Sequence, residues 1–133
     1  MKDFNPDNYC FVCGQANPIG LKLTFEYNNE TDEMISQIKF AQHFQGWENV
    51  LHGGIISTVL DEVMVKAAAQ KGIKCVTAEL NVRFKKPAIM DQEFTLKGKI
   101  TEIRRRLISA EASLIASDNI SVASASGKFV QVG

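Results

Sequence analysis

Apolar positions recur along this chain with two different periods. In LKLTFEYN, residues 21–28, Leu21, Leu23, Phe25 and Tyr27 share one face and polar residues the other. That alternation predicts a strand. Asn28 and Asn29 begin a turn, and MISQIKF, 34–40, predicts a second strand that closes a hairpin through a longer loop. A connection over 41–51 carries His43, Phe44, Gly46 and Trp47. From Gly53 to about Gln70 the period lengthens: Ile55, Ile56, Val59, Leu60, Val63, Met64 and Ala67 follow helical spacing, and Gly72 supplies the stop. Between 55 and 69 the only charges are Asp61, Glu62 and Lys66, which predicts a helix covered on most sides. Alternation then returns in VTAELNVRFK (76–85, ended by Pro87), FTLKGKITEI (94–103), LISAEAS (107–113, running on to about Ser117) and ISVASASGKFV (120–130). The first 20 residues are loop-like, with Asn-Pro at 5–6 and 17–18. Two strands, one long helix and four strands predict a single α+β domain over 1–133, an antiparallel sheet of about six strands curled around the helix.

Composition narrows the function classes. The 133 residues are 45% hydrophobic and 23% charged, which is enough for one domain with a core. Lys plus Arg equals Asp plus Glu at 15 each, so no general nucleic-acid binder is indicated. The N-terminal MKDFNPDNYC lacks the apolar segment of a secretory signal, and no stretch has the length of a membrane helix. Three cysteines do not make a disulfide framework. Cytoplasmic placement, with no membrane partner, is the expectation.

The candidate chemistry lies in LHGGIISTVLDE, 51–62. The first turn of a helix has N–H groups without partners, and its dipole makes that end partly positive. Glycines at 53 and 54 let another molecule approach those groups, an anion or a carbonyl oxygen becoming one. Asp61 lies two turns on, with small, mostly apolar neighbours at Ser57, Val65 and Ala68. A poorly hydrated carboxylate there is a candidate base or nucleophile. The same residues also fit a plainer reading: a tight Gly-Gly turn, His52 as a local cap, and Asp61 and Glu62 as a solvated helix edge.

HGGIISTVLDE, with Asp61 nine residues after His52, resembles the helix motif of hotdog-fold acyl-CoA thioesterases of the PaaI-like branch. VTAELNVRFKKPA, 76–88, is similar to the strand that follows it in that family, and CFVCGQANPIGLKL, 10–23, to the leader of one subgroup. The resemblance spans about 10 to 130. It implies a hotdog fold, no cofactor, an acyl-CoA substrate and a homodimer or homotetramer with its site between subunits. It further implies Asp61 as nucleophile or general base and Gly53 as the N–H that polarises the thioester carbonyl, with Gly54 beside it. His52 would position that carbonyl, and Thr77 would supply a hydroxyl reaching the site from the facing subunit. Relatives often carry a polar side chain such as Asn six positions before the histidine; here Gly46 stands there.

Other residues admit two readings. Arg104, Arg105 and Arg106 form a run, with Arg83, Lys85 and Lys86 in a neighbouring strand region. They suit either a solvated edge or capture of CoA phosphates. Cys10-x2-Cys13 is half a zinc pattern, but structural zinc takes four ligands and Cys75 and His43 are scattered singly. Packed thiols are the plainer expectation. Phe40, Phe44 and Trp47 are expected as a buried aromatic cluster. Hydrolysis of an acyl-CoA thioester is the expected function; its rival is a non-catalytic hotdog protein that binds acyl-CoA.

Overall fold

The computed structural model describes residues 4–133, so the first three residues of the leader lie outside the described residues. Strands β1 (Glu26–Asn28) and β2 (Glu33–Ile38) precede helix α1 (Gly53–Gln70), and β3 (Cys75–Phe84), β4 (Phe94–Arg104), β5 (Leu107–Ile115) and β6 (Ser121–Gln131) follow it. They form one six-stranded antiparallel sheet in the order β1-β2-β4-β5-β6-β3. Alternation decides which face each strand gives to the helix. In β4, Phe94, Leu96 and Ile100 are buried, as are Ile108, Ala110, Ala112 and Leu114 in β5. These residues meet Ile56, Val59, Leu60, Val63, Met64 and Ala67 of α1 in one core. This is the hotdog arrangement of one sheet around one helix.

The helix starts and stops where its residues require. Gly72 takes φ +78°, and the N–H groups of Gly72 and Ile73 close on the carbonyls of Ala69 and Ala68. Its coverage is less than expected: Ile55, Ser57, Thr58, Asp61, Glu62, Val65 and Lys66 are only half-buried, because a single sheet reaches only one side. No helix among the described residues is long and apolar enough to cross a membrane.

Two elements depart from the pattern. The first strand spans only 26–28, not 21–28. Lys22 sits at φ +54°, and Leu21 and Leu23 donate their N–H groups to the carbonyls of Phe11 and Val12 in the leader instead of to β2. Trp47 is 85% exposed and outside any aromatic cluster, while Phe40 and Phe44 are buried. A turn in which the Gly46 N–H donates to Val50 and the Val50 N–H to Trp47 carries the indole outward.

Candidate active site

The start of α1 is built by its cap. His52 is extended, at φ −62° and ψ 133°, and its Nδ1 accepts the N–H of Gly54 at 2.8 Å. The carbonyl of His52 takes the N–H groups of Ile55 and Ile56. One donor of the first turn is left: the N–H of Gly53 has no acceptor among the described residues. With Nδ1 accepting, a neutral His52 carries its ring proton on Nε2, which makes Nε2 a donor. A side-chain Cβ on Gly54 would stand 3.1 Å from the His52 ring, so that glycine makes room for the cap. Sequence reasoning gave both glycines to a ligand; the structure leaves only the Gly53 N–H free for one.

The second half of the site is a pair. Thr77 Oγ1 donates to Asp61 Oδ1 at 2.6 Å within the same chain. The resemblance implies that Thr77 reaches the site from a facing subunit, and unbroken alternation through 76–85 would put it on the polar face with Glu79 and Asn81. A β-bulge accounts for the difference. Thr77 pairs with Phe129, but Glu79 pairs with Lys128, so Ala78 is one residue extra. Opposed residues share a face. Thr77, exposed because β3 is an edge strand, therefore lies on the helix side with the fully buried Phe129, and Glu79 points outward with exposed Lys128. Asp61 itself is half-buried, so part of its hydration survives in one chain. Cys75, two residues before Thr77, is buried nearby; burial and then the Asp61 charge push its thiol pKa up. Sequence reasoning left Cys75 out of the site, and strand alternation was the one signal that could have put it on Thr77's inward side.

The two halves are separate within a chain. Gly53 and Asp61 lie eight residues apart on one helix, about 12 Å along its axis at 1.5 Å per residue. Around Gly53 the surface is apolar: Phe84 lies 3.5 Å from where a Gly53 Cβ would stand, and Phe84, Ile89 and Trp47 are exposed. Near Thr77, Val76 and Val130 are exposed together with Ile103 and Leu107. Between these two ends runs the outer edge of β3, ten residues with no strand beyond it.

The basic residues fall into two groups. Arg104–Arg106 make the β4–β5 turn, with Arg105 at φ +57°, and Leu107 opposes Val130, which opposes Val76. The run thus sits at the Thr77 end of β3. Arg106 Nη2 donates to the carbonyl of Gln131 at 2.9 Å, leaving Arg104 and Arg105 without such a tie. Arg83 pairs with Ser124 toward the other end of the strand and faces outward, where with Lys97, Lys99 and Glu111 it lines a depression of about 760 Å³. The structure does not bring Arg83 to the 104–106 run.

At the leader, Cys10 and Cys13 come together beside Glu62 of α1, with the three ligand atoms within 4.8 Å of one another. Burial, reinforced by Glu62, pushes the Cys13 thiol pKa up to about 12.

Comparison with known proteins agrees with this fold. The Thioesterase superfamily profile matches residues 48–123. Acyl-coenzyme A thioesterase THEM4 of Mus musculus is 25% identical over 100 residues, 75% of this chain and 43% of that protein. The chain therefore spans less than half the length of that curated relative. Among solved structures, the thioesterase superfamily protein RHA08564 superposes with a TM-score of 0.87 at 25% identity, over 92% of this chain and 60% of that one. The Escherichia coli PaaI protein from the phenylacetic acid degradation operon shares the fold, with a TM-score of 0.76 at 14% identity over 85% and 81% of the two chains.

Proposed function

The chain belongs to the thioesterase superfamily, and on that premise we propose that it hydrolyses acyl-CoA thioesters to a free acid and CoA. The observation that carries this reading is the pairing of Thr77 with Asp61, set against a free N–H at Gly53 on the same helix. One thioester does not reach both in one chain. A homodimer with antiparallel helices, β3 edge against β3 edge, brings Gly53 of one protomer to the partner's Asp61. The open edge strand and the exposed apolar residues at its two ends support that assembly. A homotetramer would be a pair of such dimers.

In that site the thioester carbonyl accepts from the Gly53 N–H, with His52 Nε2–H beside it. These donors stabilise the negative charge that builds on oxygen as the carbon becomes tetrahedral. Thr77 occupies one lone pair of Asp61 Oδ1 and aims the other oxygen. Asp61 then takes one of two routes. It attacks the carbonyl carbon, expelling CoA thiolate and leaving an anhydride that water opens. Alternatively it removes a proton from water, whose oxygen attacks while the C–S bond breaks. Either route returns Asp61 ionised and CoA protonated on sulfur. Gly46 supplies no side chain for placing that water. Neither route uses a metal or redox cofactor.

The reading is tested with a panel of short, medium, long and aryl acyl-CoA esters and a dye that reports free thiol. Turnover of at least one class well above the rate without enzyme is expected. A flat response across the panel, with acyl-CoA binding retained, would favour the non-catalytic binding protein.

Arg104 and Arg105 are assigned to the CoA phosphates. Replacing both by Ala is expected to raise KM more than it lowers kcat, since such contacts hold substrate and transition state alike. A short pantetheine thioester, which lacks those phosphates, should be hydrolysed almost as before. Equal losses on both substrates would make the turn structural.

A further inference from the structure

We propose that Cys10, Cys13 and Glu62 form a site for a thiophilic divalent cation of the Zn²⁺ class, with solvent in the fourth position, that clips the leader to helix α1. The site does not depend on the hydrolytic reading above.

Geometry is the first ground. Cys10 Sγ lies 3.9 Å from Glu62 Oε2, and the two sulfurs and the carboxylate oxygen are all within 4.8 Å of one another. Metal–sulfur bonds of about 2.3 Å and metal–oxygen bonds of about 2.0–2.2 Å in a tetrahedron place ligand atoms roughly 3.5–3.8 Å apart.

The second ground is how the loop is held. The Val12 N–H points at Cys10 Sγ at 3.3 Å, the contact that stabilises a thiolate bound to a metal. The Gly14 N–H closes on the Cys10 carbonyl at 2.9 Å. A Cβ on Gly14 would lie 2.2 Å from the Cys10 nitrogen, so only glycine lets the backbone fold this tightly after the second cysteine. Buried Asn17 ties the loop by donating to the Tyr9 carbonyl and accepting from the Ile19 N–H. Buried Val12 anchors it in the core. The thiols are therefore presented to the helix on a rigid support.

Charge is the third. Two thiolates and one carboxylate around a divalent cation leave one negative charge. Lys66, one helical turn beyond Glu62, lies over the Phe25 ring at 5.8 Å and supplies a positive charge on the same side of the helix, where it offsets that charge. Two sulfurs with one oxygen favour Zn²⁺ over the oxygen-seeking Mg²⁺ and Ca²⁺. On binding, two metal–sulfur bonds form and two thiol protons leave to solvent. The sequence pattern showed only the cysteine half of this site; Glu62, 49 residues after Cys13, enters through the fold. Three protein ligands with an exposed fourth position give an exchangeable ion.

The experiment uses the whole chain, stripped of metal by a chelator, with thiols reduced and oxygen excluded. Co²⁺ is titrated while thiolate-to-metal charge-transfer absorption in the near ultraviolet and tetrahedral bands in the visible are recorded. One equivalent per chain is expected, displaced by Zn²⁺. Cys10→Ser and Cys13→Ser should abolish the bands, and Cys75→Ser should leave them unchanged. Glu62→Gln keeps both thiols and should weaken Zn²⁺ binding by at least roughly 10–100-fold, the cost of losing even an outer-shell partner. Circular dichroism of each variant confirms folding. Absence of charge-transfer bands in the unaltered chain overturns the site. Bands that survive Cys10→Ser, or a Glu62→Gln chain that binds Zn²⁺ as tightly as the unaltered one, overturn it equally.

Discussion

Asp61→Asn is expected to lower kcat for acyl-CoA hydrolysis by roughly 10²–10⁴-fold, the range for losing a positioned base. The substitution keeps size and shape. It keeps an oxygen for the Thr77 hydroxyl, whose 2.6 Å bond to Oδ1 is the contact that defines the pair. What it removes is the negative charge and the basic lone pair. Substrate binding should survive, because the helix start and the arginine turn are untouched. Folding should be maintained or improved, since Asp61 is a half-buried charge with only one hydroxyl to serve it. Steady-state kinetics beside equilibrium binding of a non-hydrolysable acyl-CoA thioether separates the effects. A chain that hydrolyses at the original rate after this change would remove Asp61 from the chemistry.

Gly53→Pro should be nearly as damaging, for a different reason. Proline at the first helical position deletes the free N–H and is otherwise tolerated, because that N–H has no helical partner. His52 already has the extended conformation that a residue before proline adopts. Beyond the glycine there is ordinary contact space, with Phe84 3.5 Å away. The helix should therefore form while the carbonyl loses its donor, lowering kcat by roughly 10²–10³-fold. Mixing this variant with Asp61→Asn tests the two-chain site directly. If each site takes Gly53 from one protomer and Asp61 from its partner, half of the dimers after random exchange are mixed. Each mixed dimer has one intact site, so about one quarter of the original sites return. If both residues came from one chain, mixing would restore nothing. Refolding the two variants together and assaying the mixture against each alone decides between these outcomes.

The sequence carried the periodic parts of the fold and left out the parts that depend on what lies opposite. Helix α1 occupies 53–70 as its spacing predicts, because burial against a sheet imprints itself on every third or fourth residue. The four later strands fall within a residue or two of their alternation. Residues 21–25 alternate just as well, yet their backbone bonds go to Phe11 and Val12. Alternation reports a buried face and is silent about the partner. The same limit applies to the site. Asp61 and Gly53 were visible as an acid and a glycine on a helix, and the resemblance attached a chemistry to them. That His52 would use up the Gly54 N–H depends on a side-chain rotation no pattern encodes. The chemistry of Trp47 alone predicts a core position; its exposure follows from the turn that carries it.

Ala78 contributes no functional group, and yet the extra residue there lets one strand serve two surfaces. Upstream of it Cys75 and Thr77 face the helix; downstream Leu80 and Val82 do, while Glu79, Asn81 and Arg83 face out. Strand parity is a matter of counting, so point substitution leaves it intact and a change of length reverses it. The bulge is the exception: deleting Ala78 would remove the extra residue and leave Thr77 opposite Phe129, its hydroxyl still toward Asp61. Such a shortened chain should keep its hydrolysis where Thr77→Val loses it, because the bulge residue is spare and the hydroxyl is not.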